Sequence, residues 1–218
     1  MPARGRPWEA LSAELEAAMQ GDYAWKKGRV PLYVYWLNEE LARVQQQAYE
    51  AYWSENALGM RAFPSLKRLE DEVIGMGLSL LHAPDGAGAT FTSGGSESIF
   101  LALRAAREKA RIERGIETPN IVIPQTAHLT FNRAAMFQQI EVRRIPTSAN
   151  FQADVAGMEE AIDDNTVALV GSAPNYPFGV VDPIDSIASL AASRGLWMHV
   201  HACVGASLAP WAKRLGEP

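Results

Sequence analysis

The chain has 218 residues, 48% of them hydrophobic and 21% charged, with a formal net charge of −5. This length can bury a sizeable core and favours one domain, or one and a part. The acidic balance gives no support for a nucleic-acid partner, and the sequence has no apolar run of about 18 residues that would predict a membrane span.

The cysteine content and the N-terminus indicate the compartment. The single cysteine, Cys203, excludes an internal disulfide and fits a reducing environment. The first eight residues lack the apolar stretch of a signal peptide. We therefore expect a cytoplasmic protein.

The first third of the chain is predicted to be helical and extended. Apolar residues at helical spacing predict a helix over 8–19, and a longer helical pattern covers 38–52. The aromatic segment 28–36 between them favours an extended conformation. Phe63-Pro64-Ser65 then starts a helix whose apolar positions continue to Leu80.

A glycine turn follows, in the stretch from Phe91 to Phe100. Gly94 and Gly95 allow close approach of a ligand to the backbone, and Ser96 can cap the apolar helix pattern that begins there. The free N–H groups of a first helical turn bind anions such as phosphate. An ordinary capped helix explains the same residues, so the segment alone leaves both interpretations open.

After this turn, short β-like runs alternate with helical patterns. The helices are predicted at 96–114, from 131 onward, at 155–162 and at 184–193, and the strands at 121–124, 140–145, 166–171 and 196–203. Such alternation predicts an α/β fold with a mainly parallel sheet.

The ends of the predicted strands carry the polar candidates. His128 follows the first strand, the segment 172–179 follows the third, and the segment 199–205 ends the fourth. Ligands of open α/β sheets bind where the carboxyl ends of strands meet the first turns of helices. We expect these groups and the glycine turn to converge on one edge of the sheet.

The ordered set of these segments resembles the pyridoxal-phosphate-dependent group II decarboxylase superfamily. The similarity is greatest to its sphingosine-1-phosphate lyase-like branch. The matching pieces are 28–35, 63–70, 92–99, 128–135, 172–183 and 199–205.

The resemblance implies a fold, a cofactor and a reaction class. The fold would be an incomplete large domain of the type I pyridoxal-phosphate-dependent transferase fold over 66–218, after an N-terminal helical and extended segment over 1–65. The C-terminal part and the small domain would be absent. Pyridoxal 5′-phosphate would be the cofactor of a carbon–carbon lyase or carboxy-lyase acting on an amine or amino-acid-derived substrate. The chain would form a homodimer or pair with a complementary chain.

The resemblance also assigns roles to individual residues. The turn Gly94-Gly95-Ser96 would hold the cofactor phosphate, and His128 would stack on the pyridine ring. A capped loop histidine is the alternative for His128. Tyr35 is a candidate for substrate contact, although a packing role explains it equally.

Three departures from the family pattern affect activity. His201 stands where the family has an aspartate that pairs with the protonated ring nitrogen. The Schiff-base lysine has no counterpart, because Lys213 resembles a surface helix residue. Gly59 replaces a histidine of the active-site region. We therefore assign no catalytic residue and expect the isolated chain to be inactive; the alternative is a non-catalytic remnant or pseudoenzyme that associates with a full-length paralogue.

Metal binding is a weaker interpretation of the same region. His199, His201 and Cys203 alternate, so that on a strand they would share one face. Three ligands from one strand rarely complete a tetrahedral site. The resemblance accounts for His199 and Cys203 without a metal, and we predict none.

Overall fold

A computed structural model describes residues 4–28, 36–59 and 61–216. The chain divides into two units, Met1–Lys67 and Arg68–Pro218. The boundary expected after residue 65, and the assignment of the second part to a partial cofactor-binding domain, stay predictions.

The first unit is helical. Helix α1 spans Trp8–Met19 and α2 spans Glu39–Ala51, and neither contains a fully buried residue. The side chain of Asn38 caps α2 by accepting the Leu41 N–H at 2.9 Å. Short 3-10 turns lie at Trp25–Lys27 and Ala57–Gly59. Most of the extended segment expected at 28–36 lies outside the described residues.

The second unit alternates helices and strands. Helix α3, Pro64–Leu80, begins in the first unit and continues into the second. The remaining helices are α4 Gly95–Arg114, α5 Thr130–Phe137, α6 Val155–Glu160, α7 Ile184–Ser193 and α8 Gly205–Arg214. The strands are β1 Asn120–Pro124, β2 Glu141–Ile145, β3 Thr166–Ser172 and β4 Trp197–His201.

The strands of the described residues form one parallel sheet in the order β2-β1-β3-β4. Every residue of the central strands β1 and β3 is buried, as expected for strands covered by helices on both faces. Ile121 and Ile123 pack into the cluster beneath α4 and α5, whereas Val122 packs on the opposite face with α6 and α7. This arrangement confirms the predicted α/β fold with a mainly parallel sheet.

Two local predictions were wrong. Ser96 does not cap α4, because the helix begins at Gly95 with Gly94 as its N-cap and no side chain caps it. Strand β4 ends at His201 rather than at Cys203, because the chain then turns into α8, whose first turn includes a bond from the Ala206 N–H to the Ala202 carbonyl. No helix in the part of the chain that the structure describes is long and apolar enough to cross a membrane.

Candidate functional site

The carboxyl ends of β1, β3 and β4 meet at one edge of the sheet. Ser172, the last residue of β3, lies in register with His201, the last residue of β4. The Ala173 N–H donates to the His201 carbonyl at 3.0 Å, so the two strand ends stay joined as the chain leaves the sheet. His128 lies in the loop between β1 and α5 at the same edge.

Five rings form an aromatic cluster at this edge. His128 and His201 lie 5.6 Å apart between ring centroids, with their planes tilted by 43°. Phe131 packs edge-on against His199 at 5.5 Å and against His201 at 5.8 Å. His199 and His201 therefore share one face of β4, as predicted. Tyr176, from the loop after β3, completes the cluster on His128 at 5.8 Å.

Burial keeps two of the histidines in the cluster neutral. Burial, with a smaller contribution from the charge of His201, lowers the pKa of His199 to about 4. Its Nε2 is buried without a hydrogen-bond partner. Burial and then the charge of His128 lower the pKa of His201. Since no carboxylate contributes to either shift, nothing in the cluster favours a charged imidazole.

A backbone hydrogen bond sets the orientation of His128. Its Nδ1 accepts the Thr130 N–H at 3.1 Å. A neutral imidazole that accepts through Nδ1 carries its proton on Nε2. His128 is only partly buried, so its ring is accessible to a ligand.

The glycine turn lies open at the start of α4. A Cβ added to Gly94 or Gly95 would meet no atom within 4 Å. The backbone N–H groups of Gly95 and Ser96 have no hydrogen-bond partner among the described residues. Free first-turn N–H groups and the helix dipole together favour an anion at this position.

Glu97 closes the turn on its other side. Its carboxylate accepts the Ser93 N–H at 2.6 Å and the Ser93 hydroxyl at 2.7 Å. These hydrogen bonds, the backbone one first, lower the pKa of Glu97. The hydroxyls of Thr92 and Ser98 lie 2.7 Å apart and add a second link across the turn. The turn is thus ordered by its own side chains while two N–H groups stay free.

A cleft of about 400 Å³ joins the glycine turn to helix α5, which follows His128. It is lined by Ser93, Ser96, Glu97 and Phe100 from the α4 side and by Thr130, Arg133, Ala134 and Phe137 from α5. The loop of His128 and the ends of β3 and β4 are in direct contact, as expected. The glycine turn shares a cleft with α5, and its convergence with His128 stays a prediction.

The loop after β3 contains buried polar residues that the sequence analysis did not single out. Asn175 and Asp182 are 1% and 2% exposed. Burial raises the pKa of Asp182, and its oxygens accept the Ser172 N–H at 2.7 Å and the Ala153 N–H at 2.9 Å. An amide and a carboxylate within ten residues after an apolar strand were the available signal, since buried polar groups are nearly always bonded.

A family profile described as "Pyridoxal-dependent decarboxylase conserved domain" matches residues 50–214. The chain belongs to this family. The match extends from α2 to the last residue of α8 and includes the glycine turn, His128 and the ends of β3 and β4. Pyridoxal phosphate, the cofactor predicted from the sequence, is thereby confirmed at the level of the family.

Individual decarboxylase-family relatives cover nearly the whole chain. It is 37% identical to sphingosine-1-phosphate lyase 1 of Rattus norvegicus over 100% of its length, which is 38% of the rat protein. It is 33% identical to a probable L-aspartate decarboxylase of Pyrococcus furiosus, over 99% of this chain and 56% of that protein. The chain thus spans about two fifths to just over half of these relatives.

A solved structure has the same fold. The sphingosine-1-phosphate lyase Bpss2021 of Burkholderia pseudomallei superposes with a TM-score of 0.93 at 38% identity, over 100% of this chain and 52% of that chain. The predicted type I fold and the predicted resemblance to sphingosine-1-phosphate lyases are confirmed. The match covers only a portion of the solved enzyme, again as predicted.

Tyr35, the candidate for substrate contact, lies outside the described residues and stays a prediction. Lys213 is an exposed residue of α8, and Cys203 is exposed beyond the end of β4. In the described part of the chain no cluster of three or more histidine, cysteine or acidic side chains could hold a metal ion.

Proposed function

We propose that this chain is the cofactor-binding part of a pyridoxal-phosphate-dependent lyase that breaks a carbon–carbon bond next to an amine, as a decarboxylase or a sphingosine-1-phosphate lyase-like enzyme. The observation that supports this most directly is the open glycine turn, which shares a cleft with the helix that follows His128. An anion-binding turn and a partly exposed imidazole in the same unit would suit a phosphorylated aromatic ring.

The described residues fit the phosphate and the ring. The free N–H groups of Gly95 and Ser96, with the Ser96 hydroxyl, would hold the phosphate, and the face of His128 would stack on the pyridine ring. His201, in ring contact with His128, would lie beside it. Bound pyridoxal phosphate supplies an electron sink for the pair of electrons released by the broken bond.

The state of His201 limits the activity of the chain. A neutral imidazole can donate or accept one proton, but it cannot provide the negative charge that a carboxylate offers to a protonated ring nitrogen. Lys213 is exposed on α8. The isolated chain is therefore proposed to bind the cofactor without completing the reaction. Tyr35 is retained as a candidate for substrate contact.

The first test is a titration of the purified chain with pyridoxal phosphate, followed by absorbance and by the shift in thermal unfolding. Pyridoxal, which lacks the phosphate, and inorganic phosphate are the ligand controls. Saturable binding of pyridoxal phosphate that weakens in His128→Ala, with little binding of pyridoxal, supports the proposal. A folded chain that binds none of the three overturns it.

Reduction with borohydride distinguishes a cofactor that is bound without a covalent bond from one that is linked to a lysine. A bound cofactor that is not trapped by borohydride indicates a site without its lysine, as proposed for this chain. Covalent trapping, located by mass spectrometry, would overturn the inactive assignment and identify the lysine. This readout does not depend on knowing the substrate.

A second candidate function is non-catalytic association with a full-length relative. Strand β4 lies at the edge of the sheet and exposes Trp197 and Val200 by 37% and 40%. An apolar edge strand is a pairing surface. Sedimentation of the chain alone and mixed with the full-length relative tests this function, together with the proposed homodimer.

The proposed cytoplasmic location is supported by the single exposed cysteine.

A further inference from the structure

Tyr176 contacts the site although it lies in a loop. Its ring packs edge-on against His128, with centroids 5.8 Å apart and an angle of 70° between the planes. The rest of the side chain is free, since Tyr176 is 69% exposed. An aromatic side chain in a surface loop normally moves among several rotamers. The contact is therefore maintained only if the loop itself is held.

Asn175 holds the loop from within. Its side-chain Nδ2 donates to the Phe151 carbonyl at 3.0 Å, and its Oδ1 accepts the Phe178 N–H at 3.1 Å. Its backbone N–H donates to the Val180 carbonyl at 2.8 Å. These bonds fix the residue that directly precedes Tyr176, and they are made by an almost fully buried amide.

Asp182 fixes the far end of the loop to the sheet. Its carboxylate accepts the Ser172 N–H at the end of β3 and the Ala153 N–H. The Asp182 N–H in turn donates to the Ser172 carbonyl at 2.9 Å. The chain from the end of β3 through Asn175 is thus held at both ends by buried bonds, which resist local opening.

The imidazole of His128 depends on this support because its hydrogen bond leaves the tilt of the ring free to change. The Thr130 N–H holds Nδ1 of the imidazole, but one hydrogen bond does not set the tilt of the ring about that axis. His201 contacts the same ring at a tilt of 43°. Tyr176 adds a third contact, nearly perpendicular to the imidazole plane.

We propose that Tyr176 is a positioning residue that fixes the plane of the His128 imidazole, with Asn175 as the anchor of its loop. The orientation so fixed is the one in which His128 would stack on the pyridine ring, so this inference rests on the proposed function. An aromatic contact of this kind changes binding by roughly two- to tenfold.

Phe178 provides a matched control in the same loop. It is a half-exposed aromatic residue two positions after Tyr176. Its ring stacks on Phe151, with centroids 4.1 Å apart and planes within 17°, and makes no ring contact with His128. Phe178→Ala therefore perturbs the loop surface without touching the imidazole.

The test compares Tyr176→Ala, Tyr176→Phe and Phe178→Ala in the full chain. The first readout uses the cofactor-free protein and is the protection of the Thr130 amide from hydrogen exchange. Tyr176→Ala should reduce this protection several-fold, because a freely tilting imidazole makes a poorer acceptor. Tyr176→Phe keeps the ring and should match the wild type, as should Phe178→Ala.

The second readout is the dissociation constant for pyridoxal phosphate. Tyr176→Ala should raise it roughly two- to tenfold, and the other two variants should leave it unchanged. If the wild type does not bind the cofactor, the proposed function fails, but Thr130 protection still tests the contact. If the wild type binds and Tyr176→Ala changes neither readout, the positioning role is wrong. Equal losses in Phe178→Ala also overturn it, because they would show a general effect of the loop.

Discussion

The imidazole rings of His128 and His201 lie 5.6 Å apart, although one follows β1 and the other ends β4. In a parallel sheet both positions belong to the carboxyl edge, so the strand order brings them together. The charge of His128 contributes to lowering the pKa of His201, after burial. The edge therefore presents a neutral imidazole where the family resemblance leads one to expect a carboxylate.

Replacing His201 with aspartate should lower the stability of the cofactor-free chain and raise its affinity for pyridoxal phosphate. A half-buried carboxylate without a partner costs about 1–3 kcal/mol, whereas a protonated ring nitrogen would give it a charged partner. We expect a lower free energy of unfolding without ligand and an affinity for pyridoxal phosphate about tenfold higher. Urea unfolding and absorbance titration measure the two effects. His201→Asn, neutral and similar in size to aspartate, should show no gain in affinity; an equal gain would contradict this account.

Acid should destabilise the fold through His199. The pKa of His199 is lowered by burial from 6.5 to about 4. Between these values the unfolded chain binds a proton and the folded chain does not, so stability falls as the pH drops from 6.5 toward 4. The expected loss is about 2–3 kcal/mol, measured by urea unfolding at a series of pH values. His199→Gln should remove most of this slope, and an unchanged slope would show that another group causes it.

Asp163 should stabilise the opposite end of the sheet. The Asn120 side chain first, and also Arg143 and the Asn165 N–H, lower the pKa of Asp163 to about 2. Because the folded pKa lies below the ordinary value of 3.8, this stabilisation is present above that value and is lost as the pH falls toward 2.

The test of this site is Asp163→Asn. Its carboxylate is 41% exposed, and solvent screening reduces the effect to about 1 kcal/mol at neutral pH. The variant should also flatten the stability profile below pH 4. Glu141→Gln removes the other, more exposed partner of Arg143 and should cost less. Equal costs in the two variants would refute a special role for Asp163.

Gly205 should tolerate no side chain. A Cβ at this position would lie 1.9 Å from the carbonyl oxygen of Ala173, which is backbone and cannot turn away. Gly205→Ala should therefore destabilise the second unit by about 3 kcal/mol or displace α8. Thermal unfolding measures the loss of stability, and a change in the environment of Trp211, which lies on α8, indicates displacement of that helix. Gly77→Ala in α3, where nothing lies within 4 Å, should instead be neutral or stabilising by up to about 1 kcal/mol.

The bounds of most elements could be predicted because local signals agreed. Helices α1 and α7 begin and end where the apolar spacing indicated, and strands β1 and β3 differ from their predicted ranges by one residue at one end. In each of these segments the spacing of the apolar residues fits a single kind of element, and a turn signal follows the segment. The start of α4 differed because Ser96 is a good capping residue by type, yet Gly94 takes that position with its φ of 159° and ψ of 173°.

Two features that the sequence analysis missed, the contact of Tyr176 with His128 and the buried Nε2 of His199, have no local signal. Tyr176 is one more aromatic residue in a loop until β3 and the anchor at Asn175 bring it to His128. The buried, unbonded Nε2 of His199 depends on Phe131 from another element. The roles of Gly94, Gly95, Ser96, His128, His201 and Tyr35 stay predictions that the binding experiments address.

By itself, the sequence determined the α/β class, the family and the candidate residues, because apolar period, turn chemistry and motif order are properties of neighbouring positions. Only the tertiary structure decided which of these residues meet. Strand order brought His128 to His201, and burial lowers the pKa of His201. Contacts between distant segments, and the desolvation that sets a pKa, arise from packing in three dimensions, which no local pattern encodes.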